Sequence, residues 1–248
     1  MIKKFVLTLA LPLASFLKRI LTFIRNNVLP SIEPSNNKTP YNLYREEEII
    51  HSYNHFKKFF KSSILINQDK IGKYAIKAEK KNDTENNFAY LEFGVWKGAT
   101  IKLFSKYVDK IYGFDSFQGL NEDWVGHKIA ANDKFKLEEN KIPSFPRNVV
   151  IVKGIIQNTL EDFLKKNNPK INFIHIDTDT YETCKFILNK TKPYLVNNAV
   201  ILFDELYNFP GWDVGEYKAL KECFESEEYQ YKVFSADRTA VAIQIKKK

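Results

Sequence analysis

The chain has 248 residues, of which 44% are hydrophobic, enough for one well-buried domain with extensions and too apolar for a disordered protein. Its formal net charge of +8 sits at the ends: Lys3, Lys4, Lys18, Arg19 and Arg25 with no acid in residues 1–30, and Lys246, Lys247 and Lys248 at the other end, so the body is neutral. A nucleic-acid enzyme carries a basic face on its domain, so no nucleic-acid partner is expected.

Residues 5–17 are almost continuously apolar, interrupted by Thr8, Pro12 and Ser15 and closed by Lys18 and Arg19. The run is short of the about 20 residues that span a bilayer. Beyond it, Phe16, Leu17, Ile20, Leu21, Ile24 and Val28 share one helical face, and Lys18, Arg19, Thr22, Arg25 and Asn26 share the other. Three readings stay open for residues 1–30. They form an in-plane anchor on an anionic membrane surface, a cleaved signal peptide without a clear small-residue cleavage site, or a helix packed on its own domain or a second subunit. The composition favours the anchor, hence a cytoplasmic protein in peripheral contact with the inner face of the membrane. Pro30, Pro34 and Pro40 with Ser35, Asn36 and Asn37 mark a linker. Residues 46–60 and 69–80 read as helices. Residues 31–87 are therefore linker and pre-domain helices, and residues 88–248 the main domain.

The main domain opens with a strand at 88–93, a turn flanked by Gly94 and Gly98, a helix at 100–107 and a strand at 111–114 that ends in Asp115. A nucleotide-like cofactor needs this arrangement. Glycines let the backbone come close, the next helix presents N–H groups, and an acid after the second strand can accept ribose hydroxyls. The dinucleotide fingerprint G-x-G-x-x-G is absent, which argues against a pyrophosphate cradle. Residues 116–148, with Trp124, His127, Pro143 and Pro146, form a loop long enough to be a lid or binding element. Strands follow at 149–152, 171–176, 199–203, 231–234 and 239–245, the last two joined as a hairpin, with helices at 159–165, 181–195 and 214–224. Alternating β and α elements imply an α/β fold with a mostly parallel sheet. Cys184 and Cys223 belong to no C-x-x-C pair and read as buried thiols of a reducing compartment.

Two further strands end in acids: Asp177 and Asp179 after the strand at 171–176, and Asp204 and Glu205 after 199–203. One helix and one strand separate Asp177 from Asp204, so both reach the same sheet edge, where ligands of open α/β sheets bind. Asp179 serves equally well as a cap for the following helix. His175 shares a side of its strand with Asp177, as a buried, hydrogen-bonded residue or as a base. His127, in the long loop, is a weaker candidate with no partner visible. Trp212 offers a face on which a sugar ring stacks, or is a core residue.

The segments Glu92-Phe-Gly-Val-Trp-Lys-Gly98 and Gly113-Phe-Asp-Ser-Phe-Gln-Gly-Leu120 resemble the S-adenosylmethionine-dependent methyltransferases of Rossmann-like fold. More narrowly they resemble the sugar O-methyltransferases of the macrocin and mycinamicin type, over residues 88–245. The resemblance implies a seven-stranded, mostly parallel sheet with one antiparallel strand and helices on both faces. It implies S-adenosyl-L-methionine as cofactor. Glu92, Gly94, Val95, Trp96 and Gly98 would lie at its methionine end, Asp115 on the ribose, Ser116 and Phe117 beside the adenine, and Gly154 and Ile155 on the adenine's other side. It also implies Mg²⁺ on Asp177, Asp204 and Glu205, although the family usually has Asp at the third position. The implied reaction is methyl transfer to a hydroxyl of a small-molecule or glycan acceptor, a sugar or a glycan or glycolipid precursor, with Asp177 or His175 handling the proton. Pre-domain helices in this family cover the substrate site or build a homo-oligomer. Two rivals stand beside this reading: a metal-independent methyltransferase of a small phenol or lipid, and a non-catalytic, membrane-associated scaffold. The intact acids Asp115, Asp177 and Asp204 count against the scaffold.

Overall fold

A computed structural model describes residues 39–83, 87–120, 122–125 and 134–247. The basic segment 1–30 and His127 lie outside them. The chain divides into two compact units, Met1–Leu43 and Tyr44–Lys248, and the sheet belongs to the second. In chain order the elements are α1 (Pro40–Phe60), β1 (Ile64–Ile66), α2 (Gln68–Asn82), β2 (Ala89–Phe93), α3 (Ala99–Phe104), β3 (Ile111–Asp115), β4 (Val149–Lys153), α4 (Ile156–Asn167), β5 (Ile171–Ile176), α5 (Tyr181–Thr191), β6 (Leu195–Phe203), α6 (Glu216–Cys223), β7 (Tyr229–Ser235) and β8 (Val241–Ile245).

The described strands form one sheet in the order β1-β7-β8-β6-β5-β2-β3-β4. Only β8 runs antiparallel to its neighbours, between β6 and β7. The sheet has eight strands where the sequence predicts seven. The extra one, β1, pairs parallel with β7 through Ile64 and Val233. Its three half-exposed residues lie at the sheet edge between two helices, too short a run to show a strand period.

Every residue of β5 is buried, as a central parallel strand covered on both faces requires. On one face α1, α4, α5 and α6 pack a core that includes Phe56, Leu160, Ile187 and Leu220. On the other, α2 and α3 pack through Ile71, Ile76, Ile101 and Phe104. Three helix boundaries differ from the sequence pattern for local reasons. α3 stops at Phe104, and Asn148 Nδ2 donates to the freed carbonyls of Ser105 (2.7 Å) and Val108 (2.9 Å). α5 stops at Thr191, where Pro193 shapes a short 3-10 turn. α6 starts at Glu216, after a turn in which Val214 N donates to Gly211 O at 3.1 Å.

Chain order reverses between β2 and β5: β3 and β4 extend to one side of β2, and β5 and β6 to the other. The crevice beyond the carboxyl ends of these two strands is where such sheets bind ligands.

Candidate active site

The turn after β2 is shaped by its contact with β5. Gly94 has φ +84°, and a Cβ there would collide with the backbone carbonyl of Asp177. Asp177 N in turn donates to Phe93 O at 2.9 Å. The turn is also held from the β3 side. Asp115 Oδ2 accepts from Val95 N and Trp96 N, both at 2.7 Å, and Oδ1 accepts from Phe117 N at 2.6 Å. A carboxylate has about four lone-pair positions, so these N–H groups leave little acceptor capacity for a ligand in this conformation.

A cavity of about 710 Å³ opens here. Of the residues expected to touch cofactor, Gly94, Trp96, Asp115, Ser116 and Ile155 line it, as does Asp177. Glu92, Val95, Gly98, Phe117 and Gly154 do not. Val95 and Phe117 send their side chains into the core, leaving only backbone N–H groups on Asp115. Gly98 has φ +73° and lies against the Phe145 ring, where a Cβ would come within 2.6 Å. Glu92 is fully buried below the floor, accepting from Thr100 Oγ1 at 2.6 Å. The sequence reading missed Phe114, Leu120, Phe135, Gln157, Thr178 and Thr180, which also line the cavity. Phe114 and Leu120 stand inside the quoted Gly113–Leu120 segment and Thr178 and Thr180 beside the strand-end acids, whereas Phe135 comes from the long loop and Gln157 from the start of α4, where no short motif marks them.

His175 is 1% exposed and does not line the cavity. Burial disfavours its charged form, but Glu92, Asp177 and Asp204 outweigh burial and hold it at about 9. Its Nδ1 is 3.8 Å from Glu92 Oε2, beyond hydrogen-bonding reach. His175 therefore lies below the acids and off the cavity wall.

Those acids crowd one edge. Burial and the neighbouring Asp204 push Asp177 well above the usual carboxylate range. The same two causes raise Asp179 to about 7, at a residue with φ +60°. Burial, then Asp179, Asp204 and Asp177, raise Glu205 to about 9. The three acids expected to hold a metal face different spaces: Asp177 lines the first cavity, Glu205 a second, and Asp204 neither. Asp204 Oδ1 instead accepts from Gln68 Nε2 at 3.2 Å. Gln68 Oε1 also accepts from Thr239 N (3.1 Å) and Ala240 N (3.0 Å), so the start of α2 fixes Asp204 against the hairpin. Among the described residues no group of three or more His, Cys, Asp or Glu is arranged to hold a metal ion.

The second cavity, about 600 Å³, shares Asp179 and Thr180 with the first. Trp124 and Val125 of the long loop form one wall and Phe209, Val214 and Glu216 another. Trp212, expected to offer a sugar-stacking face, is 2% exposed and packs edge-on or tilted against His51, His55, Phe56 and Tyr217. Trp124 is the tryptophan that reaches the cavity.

The first cavity fits a methylated nucleoside. Phe114, Leu120, Ile155 and Ile156 supply apolar walls for a base, Ser116 and Gln157 polar groups, and Asp115, Asp177 and Asp179 carboxyl oxygens that can face a sulfonium and an α-amino group. No curated protein sequence matches the chain. A family described as "Methyltransferase domain" matches residues 91–206. Among solved structures, CalS11, calicheamicin methyltransferase, is 19% identical with a TM-score of 0.60, covering 86% of this chain and 94% of that one. An apo structure of CalS11, described as TDP-rhamnose 3'-O-methyltransferase, is 20% identical with a TM-score of 0.52, covering 91% and 92%. The O-methyltransferase NovP is 15% identical with a TM-score of 0.52, covering 84% and 100%. Sheet order, crevice and comparisons agree on the fold, which is the Rossmann-like fold of these methyltransferase structures, and residues 91–206 are similar to the family described as a methyltransferase domain.

Proposed function

We propose that the chain is an O-methyltransferase acting on a hydroxyl of a sugar or of a glycan or glycolipid precursor. The observation that carries this reading is the shared wall: Asp179 and Thr180 bound both cavities, so a donor in one and an acceptor in the other would meet there. When bound, S-adenosylmethionine supplies an electrophilic methyl carbon that passes to an oxygen nucleophile with loss of one proton. The chain's own contribution is alignment first. The Asp115 clamp and the Gly94–Asp177 contact hold the floor. The loop walls, Trp124 and Phe135, exclude water. Asp179, whose carboxyl is raised to about 7, is suited to take up the hydroxyl proton near neutral pH, with Asp177 on the same cavity wall.

A divalent cation belongs to the same proposal. Asp177, Asp204 and Glu205 offer the hard oxygen donors that Mg²⁺ takes, and positive charge would relieve their mutual repulsion. They would hold it, and it would orient the acceptor hydroxyl and lower its pKa. A metal-independent transfer is the second reading, favoured by the separation of the trio between two cavities. With isotope-labelled cofactor and a panel of sugars, glycolipid precursors and phenols, label is expected in a sugar ether. EDTA is expected to abolish turnover and Mg²⁺ to restore it. Full turnover in chelator selects the metal-independent reading, and label only in phenols removes the sugar.

A further inference from the structure

We infer that a third cavity, between α2 and the strands β6, β7 and β8, binds an aliphatic α-amino acid, with its ammonium on Glu79 and its carboxylate on Lys232. This cavity shares no lining residue with the other two, so the inference stands apart from methyl transfer. Its floor is apolar: Ala75, Val200, Val233 and Ala242 are each at most 5% exposed. Its mouth is flanked by Ile64 and Tyr74, both 42% exposed. An aliphatic side chain seated here takes this apolar surface and its own out of water.

Glu79 is the carboxyl that lines this floor, and it is 2% exposed. Its Oε2 is sealed without a hydrogen-bond partner, and its Oε1 keeps its surface toward the cavity, with no partner among the described residues. The nearby donors are spent elsewhere. Asn172 Nδ2 donates to the backbone carbonyl of Glu79 at 3.2 Å, and Tyr90 Oη donates to Asp83 Oδ2 at 2.9 Å. Asp83, one turn further along and 4% exposed, also accepts from Asn87 N at 3.0 Å. The chain thus partners one buried acid of this segment and leaves the other open to the cavity. A buried acceptor left unmade is costly, and a donor brought in by a ligand satisfies it. An ammonium brings three donors and the opposite charge. Lys232, exposed on the same wall and already pulling on Glu79, would repel a simple alkylamine. A ligand that carries its own carboxylate turns that repulsion into a second pairing, and the apolar floor asks for an aliphatic side chain.

Calorimetry on the full chain tests this. The probes are L-leucine, isocaproate, which lacks the ammonium, isoamylamine, which lacks the carboxylate, and L-serine, which lacks the aliphatic side chain. Leucine is expected to bind roughly tenfold tighter than each of the other three. In Glu79→Gln, leucine and isocaproate should bind alike. In Lys232→Gln, at an exposed position that the fold does not depend on, leucine and isoamylamine should bind alike. Leucine affinity should be the same with S-adenosylhomocysteine present. Absence of leucine binding, equal binding of all four probes, or a preference that survives both substitutions overturns the inference. Competition between leucine and S-adenosylhomocysteine also overturns it, because the amino acid would then occupy the first cavity.

Discussion

Asp115 shows how one side chain serves structure before it serves a ligand. Its carboxylate gathers N–H groups from both turns that floor the first cavity. Asp115→Ala is therefore expected to weaken S-adenosylhomocysteine binding by about 1.5–3 kcal/mol, the worth of a hydrogen bond to a charged group, and to lower the melting temperature as well. Titration beside a thermal melt checks both, and unchanged affinity would remove Asp115 from the site. Glu79 is a residue the sequence reading passed over. It lies in α2, 2% exposed, with Oε2 lacking a hydrogen-bond partner. Burial raises its carboxyl from 4.5 to about 7, against the opposing pull of Lys232. Between those values the folded protein holds a proton that the unfolded chain has released. Stability from this group is complete below pH 4.5 and is lost as pH rises through about 7. Glu79→Gln should flatten that slope and add about 1–2 kcal/mol at pH 8, after allowance for screening. Denaturant melts at several pH values give the slope, and an unaltered one would mean that Glu79 titrates normally.

At the scale of elements, the meeting of β2 and β5 sets the crevice. Gly94→Ala would drive a methyl group into the carbonyl of Asp177, and the φ of +84° adds strain of about 1–3 kcal/mol. The expected result is a lower melting temperature together with loss of cofactor binding. A stable variant with intact binding would show that the two strand ends can separate without consequence. This crevice was legible in the sequence because its signals are short: glycines beside an apolar run, and acids at strand ends. What was not legible depends on contacts between distant segments. Gln68 and Asp204 are far apart in the chain, and nothing in either segment announces their hydrogen bond. Trp212 and Trp124 look alike as loop tryptophans, and packing against α1 and α6 keeps the first off the cavity whose wall the second forms. Glu216 was part of a quoted segment, but its burial follows from how α6 sits under the loop that precedes it. β1 gains its strand character from β7, not from its own three residues.

The whole molecule adds a question of place. Among the described residues no helix is long and apolar enough to cross a membrane. We propose from the sequence that residues 1–30 lie in the membrane interface. Each basic group near an anionic surface contributes about 1 kcal/mol and loses part of it as salt rises. Deleting residues 1–30 should release the protein from anionic vesicles while S-adenosylhomocysteine binding persists. Sedimentation with vesicles at two salt concentrations decides it. Binding that ignores both salt and truncation would sink the anchor, and a destabilised or monomeric truncated form would favour a helix packed on protein.

The partition at Asp179 and Thr180 has a thermodynamic consequence. Two compartments divided by one short piece of backbone cannot fill independently if that piece shifts when either fills. Any factor by which an acceptor tightens the nucleoside must then reappear, identical, as the factor by which the nucleoside tightens the acceptor. The product nucleoside would tighten the acceptor by its own such factor, and the dead-end pair it forms with fresh acceptor would slow turnover as acceptor accumulates.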